Sequence, residues 1–181
     1  MREITHTITL PFDVRTVFEW FKNLEKNYIQ WHPVAHQHFE WLTEGPVREG
    51  TRFSFVERIK KHQHKITARI TDYKKDEKFS WASIKIQAHS KYLPDWLLTV
   101  FCFLFRVRLN VTHLFEDGPL GGATITTRQQ VGSQLAVFGR CVDFMMDALV
   151  LNPHDHQSHV AEEWEYMGRE LAYRHPPVDE Q

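Results

Sequence analysis

The chain has 181 residues, 42% of them apolar and 13% aromatic, which fits a globular unit with a full core and argues against disorder. Its formal net charge is −1 and, Lys60-Lys61 apart, its cations are scattered, so no basic field is offered to nucleic acid or to an anionic membrane. Cys102 and Cys141 fall in no CxxC pattern and the start, Met1-Arg2-Glu3-Ile4-Thr5-His6, has no apolar signal region, so a cytoplasmic protein with reduced thiols is expected.

Residues 3–10 alternate, with Ile4, His6, Ile8 and Leu10 on one face and Glu3, Thr5, Thr7 and Thr9 on the other, the pattern of a strand with one wet face. Pro11 ends it. Asp13 can then cap an amphipathic helix through Val14, Val17, Phe18 and Phe21, expected to stop near Lys26-Asn27. Strand patterns follow at about 35–42, 51–60, 65–73, 78–87, 106–116 and 122–132, with turns at Glu44-Gly45-Pro46, Lys75-Asp76 and Asp117-Gly118-Pro119. Connections this short favour an antiparallel meander.

Between the strands at 78–87 and 106–116 lies the most apolar stretch of the chain, Leu93 to Phe105. It falls short of the roughly 20 residues that span a bilayer, and Pro94 and Asp95 stand at its head. A buried helix or a cavity lid is expected there, with a membrane-surface anchor as the alternative. From Ser133 the period is helical, through Leu135, Phe138, Val142, Met145, Met146 and Leu149. Asn152-Pro153 interrupts it, and a second helical segment runs to about Tyr173, with Val160, Trp164, Met167 and Leu171 as its apolar stripe. No repeat or linker divides the chain, so one domain over 1–181 is expected. The element order is that of a START-like helix-grip fold, class α+β, in which a curved antiparallel sheet wraps a long C-terminal helix around an internal cavity.

Polar residues on a strand's apolar face, or beside a helix's apolar stripe, are candidates for chemistry, because a buried carboxylate or imidazole must find a partner or change its protonation state. Glu57 shares a face with Phe53, Phe55 and Ile59, and His113 shares one with Val107, Leu109, Val111 and Phe115. His6 also points inward, where a satisfied core histidine is the simpler reading. On the last helix His159 and Glu163, four residues apart, lie on one face at the edge of the apolar stripe, as two ligands of a divalent metal would, while Glu162 falls toward solvent. His32, held extended by Pro33, sits at the mouth of the next strand. His36 and His38 share a face with Glu40, which puts them on the polar exterior unless a bulge intervenes. The run Lys60-Lys61-His62-Gln63-His64 reads as a solvated hairpin turn.

Trp31-His32-Pro33 before a strand, an inward Glu57 on the next strand and His159-x-x-x-Glu163 on the C-terminal helix together resemble the diacetylphloroglucinol hydrolase and phloretin hydrolase family, metal-dependent enzymes that cleave a carbon–carbon bond on a START-like domain. The resemblance implies a zinc site on His32, Glu57, His159 and Glu163, with iron or manganese also suited to such donors. It implies an apolar aromatic substrate, an acylated polyphenol or a β-diketone-like compound. His113 is the candidate for proton donor or carbonyl contact, with His36 a second candidate catalytic residue. The 93–105 stretch is expected to help form the pocket walls. The rival reading is a non-enzymatic carrier of a hydrophobic ligand, with Glu57 an ion-paired cavity residue and His159–Glu163 a surface pair. A homodimer is left open, and neither reading calls for nucleic acid or a membrane.

Overall fold

A computed structural model describes residues 2–60, 62–89, 93–135 and 153–174. Seven strands form one antiparallel sheet: β1 (Arg2–Leu10), β2 (His36–Trp41), β3 (Arg52–Ile59), β4 (His62–Lys74), β5 (Lys78–His89), β6 (Val107–Asp117) and β7 (Ala123–Ser133). Their spatial order is β1-β7-β6-β5-β4-β3-β2, so β2 to β7 form a meander and the first strand closes on the last. Among the described residues four α-helices accompany it: α1 (Val14–Lys22), α2 (Leu24–Trp31), α3 (Asp95–Leu104) and α4 (Pro153–Arg174). This is the α+β helix-grip architecture, a curved sheet with a long C-terminal helix.

Asp13 caps α1, its carboxylate accepting from the Thr16 N–H at 3.0 Å and from the Thr16 hydroxyl at 2.7 Å. The helix breaks at Asn23, whose amide turns back to the Glu19 carbonyl. The stop expected near Lys26-Asn27 is absent. Asn27 lies inside α2, buried, and its side-chain amide donates to the Trp20 carbonyl at 2.7 Å, so a residue that reads as a breaker is satisfied inside a helical hairpin. α2 therefore continues to Trp31, and His32, extended at φ −152°, ends it ahead of Pro33.

The stripe on α4 is buried: Val160, Trp164, Met167 and Leu171 are each at most 1% exposed. They join a core that includes Phe18 and Phe21 of α1 and Ile70, Phe79 and Ile125 of the sheet. Fully burying such side chains contributes about 1.5–3 kcal/mol apiece, which fixes α4 against the sheet. Where β1 meets the start of β7, a Cβ on Gly122 would lie 2.4 Å from the Leu10 carbonyl oxygen, so only glycine lets the two backbones approach.

Two sequence expectations need correction. The 93–105 stretch forms helix α3, but none of its residues lines the pocket that holds Tyr28, Glu57, His113 and His159; Val100, Cys102 and Phe103 instead border a separate, larger cavity against Ile84, Ile86 and Val107, with Leu98 and Cys102 packed inward and Trp96 and Phe103 exposed. The helix lies on β5 and β6, away from the carboxylates and imidazoles of that pocket. Burial pushes the Cys102 thiol up to about 11, so it is protonated at neutral pH. Ser133 ends β7 rather than starting a helix, and the helical pattern read through Leu149, like Cys141, lies outside the described residues. No helix among the described residues is long and apolar enough to cross a membrane.

A candidate metal centre

Four of the side chains singled out by their position meet at one point, though not the four that the family resemblance assigns. Donor atoms of His36, Glu57, His159 and Glu163 all lie within 4.8 Å of one another, and all four residues are buried. Helical spacing stacks His159 over Glu163 on α4, with His159 Nε2 3.4 Å from Glu163 Oε1. Alternation along β3 turns Glu57 inward, its Oε2 3.8 Å from His159 Nε2. His36 arrives by a different device. It pairs with Glu57 across the β2–β3 ladder, whereas His38 pairs with Val56, so Gln37 is an extra residue that bulges the strand. The bulge separates His36 from the exposed face of His38 and Glu40, and His36 is 2% exposed.

His32 stays outside this group. Its Nδ1 accepts from the Ala35 N–H at 3.3 Å, so its proton is on Nε2 and is donated to Glu162 Oε2 at 3.2 Å. Its ring lies 4.9 Å from that of His159, and burial lowers its pKa despite the Glu162 contact. Glu162 is solvent-facing, yet it also accepts from Ser158 at 3.2 Å, so the pair screens one side of His159. The run 60–64 is only in part a solvated turn: Lys60, at φ 55°, makes the turn, but β4 starts at His62, and His64 is buried opposite Glu57. His6 is half-buried on β1.

The hydrogen bonds of His36 define the chemistry of the centre. A carbonyl can only accept, so the contact of His36 Nδ1 with the Tyr28 carbonyl at 2.8 Å places a proton on Nδ1. Nε2 then faces Glu163 Oε1, also at 2.8 Å, and two lone pairs would oppose each other there unless a proton or a metal cation lies between them. The Tyr28 ring, 3.9 Å away and parallel to within 1°, holds the imidazole in place. His159 Nε2 is buried and, among the described residues, finds no well-formed hydrogen bond, although it is turned toward both carboxylates.

Burial alone would push both carboxyls up, but the imidazole of His159 outweighs it and holds Glu57 below, and Glu163 well below, the ordinary carboxylate range. Burial lowers His159 in turn, and the charges of Glu163 and Glu57 overcome this to hold it up at about 10. Two buried anions thus demand two positive charges, as two protons or as one divalent ion. The donor set suits such an ion, since two imidazoles and two carboxylates are ordinary zinc ligands. Donors around a tetrahedral zinc are roughly 3.3 Å apart, within the range of spacings observed here.

The centre forms part of a partly open pocket in which about 50 Å³ admits the centre of a water molecule. A water needs roughly 10–15 Å³ by that measure, so an ion and a few waters fit while a ring-sized ligand requires the aromatic walls to shift. Those walls include Tyr28, Phe53, Phe55 and Trp81. His113 lines the pocket, 3% exposed, and burial pushes its pKa down to about 4.

Three other polar residues belong here that strand and helix patterns did not single out. Thr127 and Gln129 share the buried face of β7 with Ile125, and His156 stands one turn before His159 on α4, hydrogen-bonded to Gln129 and pushed by burial down to about 4. The period-2 test that found Glu57 finds Thr127 and Gln129 when applied to residues 123–131.

No family model matches the chain, and no curated protein sequence matches it. Solved structures do share its fold. Protein TTHA0849 of Thermus thermophilus superposes with a TM-score of 0.66 at 11% identity, over 96% of this chain and 99% of that one. Norcoclaurine synthase of Thalictrum flavum, in complex with dopamine and hydroxybenzaldehyde, gives 0.61 at 12% identity over 96% and 87%. The di-domain ARO/CYC StfQ of the steffimycin biosynthetic pathway gives 0.60 at 12% over 94% of this chain and 45% of that one. At these identities the likeness is one of fold: the chain has the START-like, Bet v1-like helix-grip architecture, in which some of the similar proteins are enzymes.

Proposed function

We propose that the chain is a divalent-metal-dependent hydrolase, with zinc the favoured ion and iron or manganese alternatives, that cleaves a carbon–carbon bond beside a ketone in an acylated polyphenol or β-diketone. One ligand differs from the set the family resemblance implies: His36 takes the place of His32, giving His36, Glu57, His159 and Glu163. The observation that carries this reading is the pairing of His36 Nε2 with Glu163 Oε1, which calls for a proton or a metal cation between them because the other imidazole nitrogen is committed to the Tyr28 carbonyl; a divalent ion meets that need and the charge of both buried carboxylates at once. An ion bound there supplies Lewis acidity to a ketone oxygen and makes a neighbouring water more acidic.

The chain's own residues do the rest. The aromatic walls, displaced to admit it, hold a flat apolar substrate and exclude bulk water. His113 meets an oxygen of that substrate from the sheet side of the pocket. Water adds across the broken bond, hydroxyl to the acyl carbon and a proton to the departing carbon, whose electron pair a polyphenol ring or a second carbonyl accepts by tautomerising. The norcoclaurine synthase complex, with two small phenolic compounds on the same fold, is consistent with a phenolic occupant. The test is elemental analysis of protein purified without chelator, followed by assay on acylated phloroglucinols. About one ion per chain, and loss of hydrolysis on chelation with recovery on zinc addition, support the reading; a metal-free protein that does not take up zinc refutes it.

The apolar majority of the pocket wall favours a second reading, a carrier that binds a hydrophobic ligand without turning it over. Stoichiometric ligand binding by metal-free protein, with no product formed in the presence of zinc, would support it.

A further inference from the structure

His113 and Thr127 are directly paired across the β6–β7 ladder, and both are buried. His113 Nδ1 is 3.0 Å from the Thr127 hydroxyl oxygen. That same oxygen accepts a hydrogen bond from the indole N–H of Trp164 at 2.9 Å. An indole can only donate, so it takes one of the two lone pairs of the hydroxyl, and among the described residues His113 Nδ1 is the one acceptor within reach of the hydroxyl's own proton. A buried hydroxyl proton left unpaired is costly, which favours one direction: Trp164 donates to Thr127, Thr127 donates to His113 Nδ1, and the ring proton of His113 sits on Nε2. The ring itself is held among Phe21, 4.8 Å between centroids, and Trp164, 5.6 Å.

We propose that Thr127 is a positioning residue that locks His113 in the Nε2–H tautomer, making His113 a hydrogen-bond donor to a carbonyl or phenolate oxygen of the pocket's occupant. The role assigned to His113 rests on the reading of the pocket as a ligand site, but the tautomer does not depend on the metal. An imidazole in this state stabilises negative charge on oxygen without transferring a proton, so the proton delivered to the departing carbon in the hydrolytic reading comes from another source.

The measurement is a long-range proton–nitrogen-15 correlation on labelled full-length protein, with the His113 signal assigned by its loss in His113→Gln. The expected result is a protonated Nε2 and a bare, hydrogen-bonded Nδ1 in the wild type, the same in Thr127→Ser, and a mixed or inverted tautomer in Thr127→Val. Binding of trihydroxyacetophenone is expected to weaken roughly fivefold to tenfold in Thr127→Val and to recover in Thr127→Ser. A wild-type His113 with its proton on Nδ1, or an unchanged tautomer in Thr127→Val, overturns the proposal. The wild-type spectrum decides the tautomer even if the valine variant does not fold. Because metal-free protein serves for these spectra, a failed metal assignment and a failed tautomer assignment give separate signatures.

Discussion

At the scale of single residues, the centre makes a sharp distinction between neighbours. Glu163 and Glu162 are adjacent, yet Glu163 contacts two imidazoles in the interior while Glu162 receives a hydrogen bond from His32 at the solvent edge. Exchanging Glu57, His159 or Glu163 for the uncharged isostere or alanine is therefore expected to lower zinc content, read by elemental analysis, from about one per chain to near zero, with the fold retained by circular dichroism. His36→Ala should do the same and His32→Ala should not; the reverse outcome for that pair would restore His32 as the ligand. Three of the four donors were legible in the sequence, because Glu57 breaks a strand's apolar alternation and His159 and Glu163 follow helical spacing. His36 was not. Period-2 counting assigns a face only while the strand is regular, and nothing in the residue types of His36-Gln37-His38 announces the extra residue that turns His36 inward.

At the scale of elements, the strands and α4 were readable because each buries one face, and burial of one face imposes a period. α2 was less so: Asn27 carries a breaker's signature, and its satisfaction by the Trp20 carbonyl is a tertiary fact. α3 was read as a helix candidate from its apolar run, but an apolar run does not say which surface it covers, and the helix lies away from the pocket. The β1–β7 junction yields a prediction of its own. Gly122→Ala places a methyl group against the Leu10 carbonyl, with backbone rather than a flexible side chain as the obstacle, and should destabilise the protein by about 1–3 kcal/mol in urea unfolding. Trp164→Ala, at the centre of α4's buried stripe, should cost about 3–5 kcal/mol.

For the whole molecule, the buried imidazoles make stability depend on pH in two opposed ways. His113 and His156 are pushed from 6.5 down to about 4, so their contribution is intact above 6.5 and is lost as pH falls toward 4. His159 is raised from 6.5 to about 10, so its contribution is intact below 6.5 and is lost as pH rises toward 10. Glu57 and Glu163, both lowered from 4.5, add a further loss only when pH drops below that value. Metal-free protein should accordingly melt at its highest temperature near pH 6.5. A bound divalent ion replaces the proton on His159, so zinc-loaded protein should keep its melting temperature above pH 6.5 where the metal-free form declines. Parallel thermal melts across that range check this, and superimposable curves would contradict a centre built on His159.

The four donors are split along the chain, two on adjacent strands β2 and β3 and two on α4, the last element described. During synthesis the first pair is complete about a hundred residues before the second leaves the ribosome, and β1 likewise waits for β7 before its edge is covered. An ion captured at this point would act as a late fastener. It would tie strands β2 and β3 to α4, and a chain truncated before Pro153 would keep all seven strands but only half of the site.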